Sequence, residues 1–122
     1  MLLCDDNVML LEALREVVEA QPDLEVVGTA LDAENAIRLA RRHAPDLVVL
    51  DVRFPGGGPM VAREITRCSP DSRLVAFSAY DDASSVEAMK RVGVSEYVRK
   101  GVTNREFLAA LRRAGRTTGE AS

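Results

Sequence analysis

Three aspartates, a serine and a lysine stand out because each ends or directly follows a short apolar run. Asp5 and Asp6 follow Leu2-Leu3-Cys4, Asp51 follows Leu47 to Leu50, Ser78 closes Leu74 to Ser78, and Lys100 follows Glu96 to Arg99. Carboxylates gathered in one place repel one another, so such a group is costly unless a cation neutralises it. A hard divalent ion meets that need, and an all-oxygen ligand set favours Mg2+, which keeps several waters and bridges protein carboxylate to phosphate. Lys100 would then bring a mobile positive charge to phosphoryl oxygens, while Ser78 would donate a hydrogen bond to one of them. Positioning and charge neutralisation are most of what phosphoryl transfer needs, and a carboxylate such as Asp51 can itself be the nucleophile, forming an aspartyl-phosphate.

Positioning these groups falls to the elements between them. The apolar runs Leu2–Cys4, Glu25–Ala30, Leu47–Leu50, Leu74–Ser78 and Glu96–Arg99 read as strands, and Leu47-Val48-Val49-Leu50, apolar throughout, fits a central strand covered on both faces. Between them apolar residues recur at three and four: Leu10, Leu14, Val17 and Val18; Ala33, Ala36, Ile37 and Ala40; Val61, Ile65 and Cys68; Val86 and Met89; Phe107, Leu108 and Leu111. Those are amphipathic helices, and the alternation is that of βα units around a parallel sheet. Asp32 is placed to cap the second helix, Pro59 suits a first turn, Gly93 closes the fourth helix, and Thr103-x-x-Glu106 matches a capping box before the last. In such a sheet ligands gather at the carboxyl ends of the strands, which is where all the singled-out residues fall. Residues 1–114 are expected to form one domain, with 115–122, rich in Gly, Thr and Ser, as a flexible tail or the start of a linker.

Composition narrows the function further. With 122 residues and 47% apolar content the chain can bury a real core, and a net charge of -3 argues against a general binder of phosphate backbones, so direct nucleic-acid contact is not expected of this domain. Met1-Leu2-Leu3-Cys4 meets two aspartates at once and no apolar run approaches the ~18 residues of a membrane span, so a cytoplasmic protein with no membrane contact is expected. Cys4 and Cys68 have no paired metal-ligand spacing and read as reduced thiols. His43, the one histidine, sits near a helix end, where a capping or cationic role is ordinary; it is not expected to be a phosphodonor. Gly56-Gly57-Gly58 lacks the Lys-Ser/Thr ending of a phosphate loop and reads as a flexible loop, and Arg112, Arg113 and Arg116 read as a solvated helix end.

Taken in order, the acidic pair Asp5-Asp6, the stretch Asp51-Val52-Arg53-Phe54-Pro55-Gly56, the pair Ser78-Ala79 and the stretch Gly93-Val94-Ser95-Glu96-Tyr97-Val98-Arg99-Lys100 make the chain resemble the receiver domains of bacterial two-component response regulators over essentially its whole length. The resemblance implies an α/β fold, a doubly wound five-stranded parallel sheet in the flavodoxin-like order 2-1-3-4-5 with five helices. It implies that a sensor histidine kinase phosphorylates Asp51 in a Mg2+-dependent reaction. Asp6 would ligate the metal directly, Asp5 partly through water, and the carbonyl of Arg53 would complete the protein ligands beside Asp51. Ser78 and Lys100 would contact the phosphoryl group with help from the Ala79 backbone amide, and Ser78 and Tyr97 would form the switch. The fourth helix, fifth strand and fifth helix would be the output face, serving a homodimer or an effector domain outside this chain, often a DNA-binding one. Such a domain is a switch catalysing its own aspartyl phosphorylation and dephosphorylation rather than an enzyme with an external substrate.

The chain departs from the family pattern at three places. Its first strand is shorter than usual, Phe54 replaces a common Met, and Gly101 stands where many members carry a proline in a cis bond to the lysine, a bond that costs roughly 2.5 to 4 kcal/mol without proline. Arg53 and Tyr80, two places after Asp51 and Ser78, are expected to flank the path of a hydrolytic water and slow dephosphorylation. Three other functions are weighed against this one. A phosphohydrolase with an Asp nucleophile would need a second Asp where Arg53 stands, and a flavin-binding domain would need hydroxyls where Asp5 and Asp6 stand. A degenerate receiver acting as a phosphorylation-independent interaction module is the remaining alternative.

Overall fold

Five parallel strands alternate with five helices in a computed structural model of the chain, which describes residues 1–79 and 83–120, with side chains to residue 115. The elements are β1 (Leu2–Cys4), α1 (Val8–Glu19), β2 (Gly28–Ala30), α2 (Ala33–His43), β3 (Leu47–Asp51), α3 (Gly58–Cys68), β4 (Arg73–Ser78), α4 (Ala83–Arg91), β5 (Glu96–Arg99) and α5 (Asn104–Glu120). The sheet runs β2-β1-β3-β4-β5, the order implied by the resemblance. Successive strand residues point to opposite faces, and the burial follows. Leu3, Val49, Val75 and Phe77 join Leu11, Leu14, Phe107 and Leu111 in a core under α1 and α5. Leu2, Val48, Leu50, Leu74 and Ala76 join Ala36, Ala40, Val61, Ile65 and Met89 in a second core under α2, α3 and α4. Every residue of β3 is buried, as its unbroken apolar run requires.

The caps agree with their sequence signals. Asp32 accepts the Asn35 N–H at 2.9 Å, Thr103 Oγ1 accepts the Glu106 N–H at 3.1 Å, and Pro59 lies in the first turn of α3. Gly93 turns the chain after α4 at φ 86°. Two element boundaries differ from expectation. β2 begins at Gly28 rather than Glu25, because its ladder partner β1 opens at Leu2, which pairs with Gly28; before that point only isolated bonds reach Met1, such as Val27 N–H to Met1 O at 2.8 Å. The backbone of α5 continues to Glu120, through residues expected to form a tail. No proline interrupts residues 115–120, and Gly115 and Gly119 each cost only about 1 kcal/mol relative to Ala once a helix is under way.

That extension leaves Arg112 and Arg113 inside the helix instead of at its end, and both reach carboxylates. Arg112 forks onto Asp23 at 3.0 and 3.1 Å and onto Gln21 at 2.9 Å, and Arg113 pairs with Glu96 at 2.7 Å. The Arg116 side chain lies outside the described residues. The glycine triplet is a hydrogen-bonded turn rather than a slack loop: the Gly57 N–H donates to Phe54 O at 2.8 Å and the Gly58 N–H to Val52 O at 3.2 Å.

Candidate functional site

Parallel strands deliver their last residues to one edge, and β1, β3, β4 and β5 there present Asp5, Asp51, Ser78 and Lys100. Asp5 and Ser78 are each 1% exposed and Asp51 is 6% exposed, whereas Asp6 is exposed. Buried acids need partners. The Asn7 N–H donates to Asp5 Oδ1 at 2.9 Å, and the Arg53 N–H donates to Asp51 Oδ1 at 3.1 Å. Asn7 is also the N-cap of α1, accepting the Leu10 N–H at 3.1 Å, so one residue fixes both the helix start and the first aspartate. An Asn directly before an apolar periodic run is a readable cap signal, and Asn7 could have been found from it.

The Lys100 N–H bonds Ser78 O at 2.7 Å, which draws the lysine backbone against the end of β4. Its ammonium lies 2.6 Å from Asp5 Oδ2 and 3.5 Å from Asp51 Oδ1, and 5.7 Å from the centre of the Phe77 ring. Phe77 carried no signal as a site residue in the sequence; only the register of β4 against β5 brings it here. The Lys100–Gly101 bond is trans and Gly101 takes φ 100°, a left-handed conformation that glycine adopts without a Cβ penalty.

Asp5, Asp6 and Asp51 each offer a carboxylate oxygen, and these oxygens lie within 4.8 Å of one another. One lysine cannot balance three carboxylates. Asp5 Oδ2, though close to the ammonium, is sealed from solvent and accepts no well-directed hydrogen bond among the described residues. An all-oxygen acidic cluster in which one ammonium is shared by two of three carboxylates is the donor chemistry a hard divalent cation such as Mg2+ requires.

The Asp51 carboxyl is pushed above the usual carboxylate range, first by burial and further by the charges of Asp5 and Asp6, against the lowering effects of the Arg53 N–H and of Lys100. The folded protein therefore holds this proton more tightly than the unfolded chain does. The penalty on stability is absent below the ordinary aspartate pKa of about 3.9, grows as pH rises through the raised folded value, and is complete above it. In metal-free buffer at neutral pH, Asp51→Asn is expected to melt above the parent, by on the order of 4 °C for each kcal/mol relieved, and the gap should close towards acid pH. Thermal melts across that range test this; a variant melting at or below the parent at neutral pH contradicts it.

Tyr97 pairs with Ala76 in the sheet and is half-buried beside the α2–α3–α4 core, Ala79 follows Ser78 directly, and Arg53 is exposed. Tyr80 lies outside the described residues. Cys4 is buried, and burial with the nearby Asp5 charge pushes its thiol far up, leaving it protonated. Cys68 is half-buried, with its sulfur 3.6 Å from Ile65 O.

Comparison with known proteins gives a consistent result. The family model described as response regulator receiver domain matches residues 1–112. The chain is 33% identical over 120 residues to YxjL of Bacillus subtilis (strain 168), an uncharacterised transcriptional regulatory protein, covering 98% of this chain and 54% of that one. It thus spans about half the length of the curated relatives it matches. Among solved structures, a LuxR-family two-component response regulator from Aurantimonas sp. SI85-9A1 superposes with a TM-score of 0.85 at 32% identity, covering 91% of this chain and 80% of that one. A CheY-like receiver domain protein from Methanospirillum hungatei JF-1 superposes with a TM-score of 0.91 over 99% and 96% of the two chains; at 17% identity it shows the shared fold.

Proposed function

This chain belongs to the response regulator receiver domain family, and we propose that it is a Mg2+-dependent phosphoacceptor switch in which Asp51 receives the phosphoryl group. The observation that carries this reading is one juxtaposition. A buried carboxylate ends a central strand, two further carboxylates offer oxygens within 4.8 Å, and a single ammonium is shared between two of the three.

Asp5, Asp6, Asp51 and the Arg53 carbonyl would hold the metal. When bound, Mg2+ supplies positive charge against the carboxylates and the donor's phosphoryl oxygens. An Asp51 oxygen attacks the phosphorus of a kinase phosphohistidine; the P–N bond breaks, the imidazole nitrogen keeps its electron pair, and an acyl phosphate forms on Asp51. Lys100, already 3.5 Å from Asp51 Oδ1, shifts its charge to a phosphoryl oxygen, and the Ser78 hydroxyl and Ala79 N–H donate to others. Drawing Ser78 inward lets the Tyr97 ring follow, which biases a two-state element at α4, β5 and α5. That face is the one proposed to engage a second copy or an effector outside these residues. The description of YxjL as a transcriptional regulator favours a DNA-binding effector. A sensor histidine kinase is the proposed donor. No helix among the described residues is long and apolar enough to cross a membrane, and a cytoplasmic setting is proposed with the kinase's phosphohistidine in reach.

Incubation with Mg2+ and acetyl phosphate, followed by intact mass, is the direct test: one phosphoryl group per chain is expected, and none with chelator. An unlabelled protein at saturating Mg2+ would sink the reading. Hydrolysis of the product needs a water in line with the breaking bond, and Arg53, two residues beyond Asp51 and exposed, is the side chain proposed to flank its approach. Arg53→Ala is expected to speed phosphate release several-fold, towards the about tenfold that ~1.4 kcal/mol of barrier represents. Unchanged or slower release would show that this side chain does not guard the path.

A further inference from the structure

We propose that Gly58 is a positioning residue for the phosphoacceptor site, because its missing side chain lets the first turn of α3 seat on the Val52 carbonyl and so fixes Arg53. The inference rests on the phosphoacceptor reading above. A Cβ on Gly58 would stand 2.3 Å from Val52 O, 2.7 Å from Val52 C and 2.8 Å from Val52 Cα. These are backbone atoms of the residue directly after Asp51, and they cannot swing aside as a side chain would. Nor can Val52 retreat. Its N–H is bonded to Phe77 O of β4 at 3.1 Å, and its carbonyl accepts the Gly58 N–H at 3.2 Å.

The turn is thus closed on itself. The Phe54 N–H donates to Asp51 O at 3.1 Å, the Gly57 N–H to Phe54 O at 2.8 Å, and the Arg53 N–H to the Asp51 carboxylate at 3.1 Å. With Val52 pinned by β4, a methyl group at position 58 leaves two escapes: α3 lifts away, or the Val52–Arg53 peptide rotates. Either one moves the Arg53 N–H off Asp51 Oδ1 and re-aims the Arg53 carbonyl, the backbone group assigned to the metal. Gly57, one residue earlier, gives a matched control. At φ 89° it strains any other residue, yet its Cβ would meet nothing nearer than Met60 Cβ at 3.9 Å. Loss of stability and loss of site geometry can therefore be separated between neighbouring glycines.

Calorimetric Mg2+ titration of the parent, Gly58→Ala and Gly57→Ala, with the Arg53 amide followed by 1H–15N spectra, tests the proposal. Gly58→Ala is expected to bind Mg2+ about tenfold or more weakly and to lose the hydrogen-bonded shift of the Arg53 amide. Gly57→Ala is expected to melt lower while keeping its Mg2+ affinity within twofold and the Arg53 resonance in place. The titrations are repeated in a stabilising osmolyte so that a weakened fold does not decide the result. A Gly58→Ala protein that is folded and binds Mg2+ like the parent overturns the proposal and leaves the phosphoacceptor reading standing. So does one that does not fold even in osmolyte, since Gly58 would then serve the fold as a whole. A parent protein that shows no Mg2+ binding overturns both.

Discussion

Asp51→Asn is expected to take up no phosphoryl group from acetyl phosphate under conditions that label the parent fully. The amide keeps the carbonyl oxygen that accepts the Arg53 N–H and has nearly the same shape, but its electron pairs are tied up in the amide and it offers no anionic nucleophile. Asp5 cannot take over. Its Oδ2 is buried against Lys100 at 2.6 Å, and its Oδ1 is held by the Asn7 N–H. Asp6 is exposed, and no ion pair draws it to Lys100 among the described residues. Intact mass and peptide mapping decide the matter, with the thermal melt confirming a folded variant. Equal labelling of Asp51→Asn would show that the acceptor lies elsewhere and would remove the basis for the proposed mechanism.

The second large effect concerns metal affinity. Asp6→Ala is expected to weaken Mg2+ binding by about a hundredfold, equivalent to ~2.7 kcal/mol, and Asp5→Ala by less. Lys100 is the reason for the order. Its ammonium contacts Asp5 and Asp51, so part of Asp5's charge is already spent on an internal cation, while Asp6 contributes a carboxylate that Lys100 does not touch. Deleting Asp5 also frees Lys100 to move fully onto Asp51, leaving Asp6 to anchor the ion. Calorimetric titration of the two variants gives the order directly, and a larger loss in Asp5→Ala would mean that the buried aspartate is the principal ligand.

The shared edge of the candidate site was legible because each of its residues ends or follows an apolar run, and a parallel sheet turns that one-dimensional regularity into a common edge. The common placement of Asp5, Asp51, Ser78 and Lys100 follows from that rule, and the unbroken apolar run of β3 announced a strand covered on both faces. What stayed hidden depends on contacts between distant elements. That Lys100 leans closest to Asp5 could not be read, since β1 and β5 are separated by β3 and β4 in the sheet and no local pattern relates them. The late start of β2 depends on where β1 begins, and the forks of Arg112 onto Asp23 and Gln21 on how α5 lies across the α1–β2 loop. The reach of α5 past Ala114 was hidden for a different reason: Gly, Thr and Ser weaken a helix only slightly when the preceding turns are already packed.

The placement of Asp51 on β3 also bears on hydrogen exchange. β3 pairs along its whole length with β4, pairs with β1 on its other side, and is buried at every residue. Amides in such a strand exchange only when the molecule opens globally, whereas a three-residue edge strand such as β2 opens locally at much lower free energy. Asp51, the proposed acceptor, is therefore expected in the slowest-exchanging unit of the domain. The proposed chemistry is thus anchored where opening is expected to be rarest.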